Sequence, residues 1–136
     1  MAIGKWGTLA GALICAATLV ACAVKGPSDP MARRLVGRWS QVLTFNDVRD
    51  EIAIDLRRDS SMHVQVKRHS GTGIDEYSGA GKWRVEDGSF VSELEFPGPR
   101  NAVNHLAGRH RIIALTEWQW VSQFLSYELT AWRYPQ

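Results

Sequence analysis

The sequence from Gly37 onward predicts an all-β domain, built as a small antiparallel up-and-down barrel of about eight strands. Apolar and polar residues alternate with a period of two in Ile52–Leu56 and again in Met62–Val66, with the polar turn 57–60 between them. No segment after Leu35 carries a helical period longer than one or two turns. Short hairpin connections favour the up-and-down order over a Greek-key sandwich, and a closed barrel leaves no free strand edge.

The first folded element is a short helix just before the barrel. Asp29 is a suitable N-cap and Pro30 suits the first helical position, so we expect one helical turn over Met31–Leu35. This turn would cover the bottom of the barrel. The first strand then begins at Gly37.

The later strands are marked by their turns. Asp87-Gly88 predicts a tight hairpin between strands at Glu76–Glu86 and Ser89–Phe96, and the glycines at 79 and 81 predict a bend or bulge. Pro97–Gly108 is the longest irregular segment, and we expect a functional loop there. Three further strands are predicted at Arg109–Thr116, Glu117–Phe124 and Ser126–Tyr134.

The N-terminus has the regions of a secretory signal peptide. Lys5 precedes an apolar run, Leu9–Val20, that is too short to span a hydrocarbon core of roughly 30 Å. The run ends in Leu19-Val20-Ala21-Cys22, which resembles the lipobox of bacterial lipoproteins, where the cysteine is acylated and becomes the first mature residue. The resemblance implies a leader over 1–21, a lipid-anchored linker over 22–34 and a domain over 35–136.

The predicted anchor also implies a location. Cys15 would leave with the leader, so the mature chain would have no disulfide, and the acyl chains on Cys22 would hold the protein on a membrane. Ala23 follows the cysteine, and by similarity to enterobacterial sorting signals this favours the periplasmic face of the outer membrane over the inner membrane.

The start and end of the barrel region carry a family resemblance. Gly37-Arg38-Trp39 at the first strand resembles the opening motif of lipocalins and the wider calycin group, in which the Trp packs across the barrel floor. The resemblance implies that Arg133, near the chain end, stacks on Trp39. It covers about Leu35–Tyr134. The first strand, 37–43, is also similar to that of avidins, but no biotin-contacting pattern follows it.

A ligand cavity does not follow from the resemblance alone, because a small eight-stranded barrel can be filled by its own side chains. The predicted mature chain is short for a lipocalin, which favours a filled interior over an open pocket. The residues expected to fill it are Ile54, Val64, Val66, Trp83, Phe90, Leu94, Ile113 and Leu115.

The late aromatic residues are the candidate contacts for a ligand or partner. Trp118 and Trp120 share one face of a predicted strand, and we expect that face to point inward. An outward orientation would instead form an exposed apolar patch. With Trp83 and Tyr127 they make up the candidate contact set.

Composition and motifs argue against other functions. A net charge of +2 from 16 basic and 14 acidic interspersed residues does not indicate a nucleic-acid surface. The four histidines lack the spacing of a zinc site, and we recognise no nucleophile elbow or phosphate-binding loop. We therefore expect no enzyme activity, metal or cofactor.

Two functions stay open. The first is a lipid-anchored binding protein that holds a small apolar ligand in the barrel. The second is a filled barrel that binds an envelope protein as an accessory or inhibitor. An internal cavity lined by Trp83 and Trp118 or Trp120 would favour the first, and a solid core with these side chains at the surface would favour the second.

Overall fold

The computed structural model describes residues 27–98 and 103–134, which form one short helix and a closed β-barrel. The helix α1 spans Pro30–Leu35. The strands are β1 (Gly37–Phe45), β2 (Val48–Leu56), β3 (Ser61–Ser70), β4 (Gly73–Glu86), β5 (Ser89–Pro97), β6 (Val103–Leu115), β7 (Gln119–Phe124) and β8 (Tyr127–Arg133).

Each strand pairs antiparallel with the next, and β8 pairs with β1 to close the sheet. The predicted all-β class and up-and-down order are thereby confirmed. Because the strands alternate in direction, the turns divide between two ends. The closed end contains α1, Tyr134 and the turns 57–60, 87–88 and 116–118, whereas the open end contains the turns 46–47, 71–72, 125–126 and the connection after Pro97.

The helix α1 forms as its cap signals predict. Asp29 Oδ1 accepts hydrogen bonds from the backbone N–H of Met31 at 2.7 Å and of Ala32 at 3.0 Å, while Pro30 begins the helix. Ala32 and Leu35 are buried in the same apolar core as the barrel side chains. The helix therefore covers the closed end.

The period-two pattern of β2 and β3 places one face of each strand inside the barrel. Ile52 pairs with Val66, Ile54 with Val64 and Leu56 with Met62, and all six side chains belong to the core or pack against it. The intervening polar residues face outward. The turn at Asp87-Gly88 also forms as expected, with positive φ at both residues.

The predicted loop over Pro97–Gly108 is wrong. Strand β5 continues to Pro97 and β6 begins at Val103, so 103–108 pairs with β5 instead of forming a loop. The proline and glycine signals at 97–99 mark a real break between strands. They do not extend to Val103–Gly108, which is held in a strand by its pairing with β5.

Ile113 was expected in the core but is 47% exposed. A bulge in β6 causes this, because the register with β7 shifts between Ile112 and Ala114. Ile112 pairs with the buried Ser122, and Leu115 pairs with the buried Trp120. The extra residue thus turns Ile113 outward and returns Leu115 to the inner face.

Two glycines are required by close contacts. A Cβ at Gly81 would overlap the carbonyl oxygen of Glu93 on β5, so only glycine lets β4 and β5 approach at this point. Gly37 has a φ of +135°, and the Arg133 guanidinium lies where its Cβ would stand. Of the expected bend or bulge, no bulge forms at Gly81, because the β4–β5 pairing has no register shift there.

The described residues share one apolar core. The barrel closes through the β1–β8 pairing, and every member of the buried cluster lies between Ala32 and Ala131.

We predict that Trp39→Ala lowers the free energy of unfolding by about 3–5 kcal/mol, the usual cost of deleting a large buried aromatic side chain. Trp39 has 0% exposure, and its Nε1 donates a 2.8 Å hydrogen bond to the Leu35 carbonyl. Urea unfolding of the purified domain measures the loss. Trp132→Ala is the control, since this side chain is exposed. Equal small losses in both variants would contradict the assigned role of Trp39.

Candidate functional site

The barrel interior holds a cavity of about 740 Å³ on the side of the open end. Its lining reaches Leu43, Pro97 and Asn104, which lie close to the open-end turns. At the closed end, Leu35, Trp39 and Leu56 are fully buried. The expectation of a filled interior is therefore wrong, and the barrel is a cup with one closed end.

Small side chains at inward positions account for the empty volume. Ser92, Gly108, Ser122 and Ala131 all line the cavity, on four consecutive strands from β5 to β8. A large residue at each position would occupy much of the space. These four positions therefore leave space in the interior on the side of β5 to β8.

The opposite wall is aliphatic. Ile52 and Ile54 of β2 and Val64 and Val66 of β3 line the cavity next to one another. Branched side chains of this kind are rigid and offer no hydrogen-bonding group. This wall suits the apolar surface of a ligand.

The wall of small residues also carries polar groups. Ser92, His110 and Ser122 face the cavity from β5, β6 and β7, and Gln41 faces it from β1. Ser92 and Ser122 are themselves buried. A few polar groups on a mostly apolar lining are typical of small-molecule sites, where they fix the orientation of the ligand.

His110 is the titratable residue among these polar groups, and its pKa is lowered. Its ring stacks on Phe124 with centroids 4.8 Å apart and meets Phe90 edge-on at 6.3 Å. Burial among these rings lowers the pKa of His110 because it disfavours the charged imidazolium. The neutral ring therefore faces the cavity at neutral pH.

An ion pair lies inside the barrel near the open end. Arg68 donates two hydrogen bonds to Asp50, Nε to Oδ1 at 2.8 Å and Nη2 to Oδ2 at 2.7 Å, and its guanidinium lies 5.7 Å from the Tyr77 ring centroid. The hydrogen bonds from Arg68 hold the pKa of Asp50 below its ordinary value. Asp50 and Tyr77 both line the cavity, so its entrance includes a neutralised charge pair.

The cavity floor consists of aromatic rings. Trp120 meets Trp39 edge-on at 5.9 Å and Phe90 at 4.7 Å, and both Phe90 and Trp120 line the cavity. Among the described residues, the indole nitrogen of Trp120 finds no hydrogen-bond partner. The rings of the floor therefore contact one another, but the buried indole N–H of Trp120 lacks the hydrogen bond that such a group usually makes.

Arg133 lies beneath this floor and stacks on Trp39, as the resemblance to lipocalins implies. Its guanidinium carbon is 4.2 Å from the Trp39 ring centroid. It also donates hydrogen bonds to the carbonyl oxygens of Val36 at 2.9 Å, Arg34 at 2.6 Å and Glu117 at 2.7 Å. Gly37, Trp39 and Arg133 are thus brought together at the closed end, where they support the floor and do not contact the cavity.

The four candidate contact residues are not brought together. Trp120 points inward and lines the cavity. Trp83 is buried and stacks on Phe90 with centroids 6.0 Å apart, below the cavity. Tyr127 is 60% exposed at the open end, and Cys22 lies outside the described residues.

Trp118 was expected to point inward with Trp120, and this expectation is wrong. Its side chain is 56% exposed. Strand β7 begins only at Gln119, so Trp118 belongs to the preceding turn, where the alternation of a strand does not apply.

Sequence reasoning missed the polar cavity residues Gln41, Ser92, His110 and Ser122. The signal that could have revealed them is the alternation itself, since each occupies an inward position in a strand where a large apolar residue would be expected. Small or polar residues at several inward positions of one barrel indicate a hollow interior.

The described residues contain neither a metal-binding cluster nor a helix that could span a membrane. No group of three or more His, Cys, Asp or Glu side chains in 27–98 and 103–134 is arranged to hold a metal ion. In the same residues, no helix combines the length and the apolar character needed to cross a membrane.

Comparison of the chain with models of known protein families and with curated protein sequences returned no match. The eight-stranded antiparallel closed barrel nevertheless fits a lipocalin-like fold.

We predict that acidification below the ordinary histidine pKa of 6.5 destabilises the barrel through His110. The unfolded chain then binds a proton that the folded barrel disfavours, so stability is greatest above this pH and falls below it. Urea unfolding at about pH 7.5 and about pH 5 measures the change.

The matched variants are His110→Gln and His63→Gln. The first should reduce the fall in the urea midpoint between the two pH values, whereas the second should leave it as in the wild type. An unchanged fall in His110→Gln would contradict the assignment.

Proposed function

We propose that this protein is a lipid-anchored envelope protein that binds a small apolar ligand in its barrel without catalysing a reaction. The observation that supports the proposal is the cavity of about 740 Å³, with its aliphatic wall and few polar groups. Ligand pockets of proteins commonly have volumes of about 300–1,000 Å³ and a lining of this kind.

The two walls suggest the chemistry of the ligand. Its apolar face would pack against the isoleucines and valines of β2 and β3. Hydrogen-bonding groups on its other face would meet Gln41, Ser92, His110 and Ser122. A neutral or weakly polar molecule fits best, because the nearest charged groups, Asp50 and Arg68, already neutralise each other.

Anchoring rests on the N-terminal sequence. The leader-like residues 1–21 and the lipobox-like Leu19-Val20-Ala21-Cys22 support acylation of Cys22 in a bacterial envelope. Ala23 favours the periplasmic face of the outer membrane. The lipocalin-like barrel is compatible with this assignment, since a domain that contains its own core can be tethered by a short linker.

The second candidate function is an interaction module that binds an envelope protein. The observation that favours it is the exposure of Trp118 and Trp132, two large aromatic residues on the outside of the barrel near the closed end. The two functions predict different co-purified molecules.

We predict that native mass spectrometry of the domain purified from its own envelope detects a bound small molecule. Leu129→Trp, which places a large ring in the cavity lining, should remove the bound mass. Thr130→Trp is the matched control, since the next residue of β8 faces the other side of the sheet. A clean unliganded mass in repeated wild-type preparations, or loss of the ligand in both variants, would contradict the proposal.

We predict that Cys22→Ser moves the protein from the membrane fraction to the soluble fraction of the envelope, because the acyl chains supply most of the membrane affinity. Cys15→Ser is the control and should remain with the membrane. Fractionation followed by immunoblotting measures the distribution. Retention of Cys22→Ser in the membrane fraction would overturn the proposed anchor.

A further inference from the structure

Two polar atoms converge over Gly108 in the cavity wall. Gly108 on β6 pairs with Ser92 on β5, and His110 follows two residues later on the same inner face of β6. All three residues line the cavity. A Cβ on Gly108 would stand 3.2 Å from His110 Nε2 and 3.3 Å from Ser92 Oγ. One small group of a ligand can therefore reach both atoms.

Both atoms have free hydrogen-bonding capacity. Among residues 27–98 and 103–134, neither the Ser92 hydroxyl nor the His110 ring forms a hydrogen bond, either with the other or with a third group. Ser92 is only 7% exposed. Buried hydroxyls usually have a hydrogen-bond partner. The free positions on Ser92 and His110 therefore point to a group that enters from the cavity.

The neutral His110 ring favours a hydroxyl as that group. Burial lowers the pKa of His110, so at neutral pH the ring carries one donor and one acceptor nitrogen, and the contacts above fix neither tautomer. A ligand hydroxyl suits both tautomers. It can donate to a bare Nε2 while it accepts from Ser92, or it can accept from Nε2–H while it donates to Ser92. A carbonyl oxygen only accepts, so it suits one tautomer alone.

The charges of the cavity lining argue against a carboxylate at this position. Arg68 already binds Asp50, the one carboxylate of the lining, through hydrogen bonds of 2.8 and 2.7 Å near the open end. His105 also lines the cavity, but it lies 3.4 Å from Glu95, and both side chains are exposed. Among the described residues, no lysine or arginine lines the cavity. A ligand carboxylate over Gly108 would therefore be buried without a counter-ion.

We propose that Ser92 Oγ and His110 Nε2 form a subsite over Gly108 that binds one uncharged hydroxyl group of the ligand. The ligand is then a neutral, mainly apolar alcohol, with its oxygen toward β5 and β6 and its apolar body against the isoleucines and valines of β2 and β3. The inference rests on the proposed ligand-binding function and narrows it, because it assigns no role to Gln41 or Ser122.

The test compares three probes with one ring system, namely 2-naphthol, 2-methylnaphthalene and 2-naphthoate. The full chain is held in phosphatidylcholine nanodiscs, and isothermal titration calorimetry measures each dissociation constant against free probe, with empty nanodiscs as the blank. The wild type should bind 2-naphthol at least as tightly as 2-methylnaphthalene, although the hydroxyl is more strongly hydrated. A cavity without the subsite would favour 2-methylnaphthalene by about tenfold, because burying an unpaired hydroxyl is unfavourable. The anionic 2-naphthoate should bind at least about tenfold more weakly than 2-naphthol.

Two variants remove the proposed contacts one at a time. Ser92→Ala removes the hydroxyl, and His110→Phe removes Nε2 while it keeps an aromatic ring beside Phe124. Each should weaken 2-naphthol binding by about tenfold, the usual effect of one lost hydrogen bond, and leave 2-methylnaphthalene binding unchanged. Ser122→Ala is the matched control, since Ser122 is also a buried serine of the lining but supplies none of the three atoms nearest to the Cβ position of Gly108. It should bind both probes as the wild type does.

Stability separates a ligand contact from a structural role. Because the Ser92 hydroxyl has no partner within the described residues, Ser92→Ala should unfold at the same urea concentration as the wild type or at a higher one. A lower urea midpoint together with equal losses for both probes would overturn the subsite. Equal losses of 2-naphthol affinity in Ser92→Ala and Ser122→Ala would also overturn it, as would tighter wild-type binding of 2-methylnaphthalene or of 2-naphthoate than of 2-naphthol.

The probe without a hydrogen-bonding group separates this inference from the proposed function. Binding of 2-methylnaphthalene to the wild type but not to Leu129→Trp would support the cavity, whatever the result with 2-naphthol. A preference for 2-methylnaphthalene would therefore contradict the subsite alone. Failure of all three probes to bind would contradict both the subsite and the cavity proposal.

Discussion

The contacts of Arg133 hold the closed end of the barrel together. One guanidinium lies over the Trp39 ring and donates to carbonyl oxygens of α1, of the residue after it and of the β6–β7 turn. Arg133 also pairs directly with Trp39 in the β1–β8 ladder, where the first and last strands meet. Burial disfavours the charge and lowers the pKa of Arg133, so these hydrogen bonds and the ring contact are needed to offset desolvation.

Because the closed end is completed in this way, the rest of the interior need not be filled. Leu35, Trp39 and Leu56 are fully buried below the aromatic floor, and small residues at four inward positions of β5 to β8 leave space above it. The fold thus separates stability, concentrated at one end, from an accessible volume at the other. Gly37 belongs to the closed end, where a Cβ would overlap the Arg133 guanidinium. Gly108 belongs to the cavity wall, where the lack of a side chain adds to the empty volume.

Much of this architecture could be predicted from the sequence, because local patterns determine it. The cap at Asp29, the alternation in β2 and β3 and the turn at Asp87-Gly88 follow from residues with strong local preferences. The contact between Arg133 and Trp39 was instead expected from the resemblance to lipocalins. The strand at 103–108 could not be predicted, since its apolar and polar residues do not alternate and it is held as a strand by pairing with β5. The bulge that turns Ile113 outward depends on register with β7. The cavity depends on the side-chain volumes at inward positions of several strands at once. The sequence of any one strand therefore does not predict it.

The central claim is that the barrel encloses an apolar space that other molecules can occupy. Crystals of the domain under xenon pressure test it most directly, because xenon enters apolar cavities without needing a specific ligand. The account predicts xenon bound between the aliphatic wall at Ile54 and Val64 and the aromatic floor at Phe90 and Trp120. A structure in which side chains close this space and no xenon binds would contradict it.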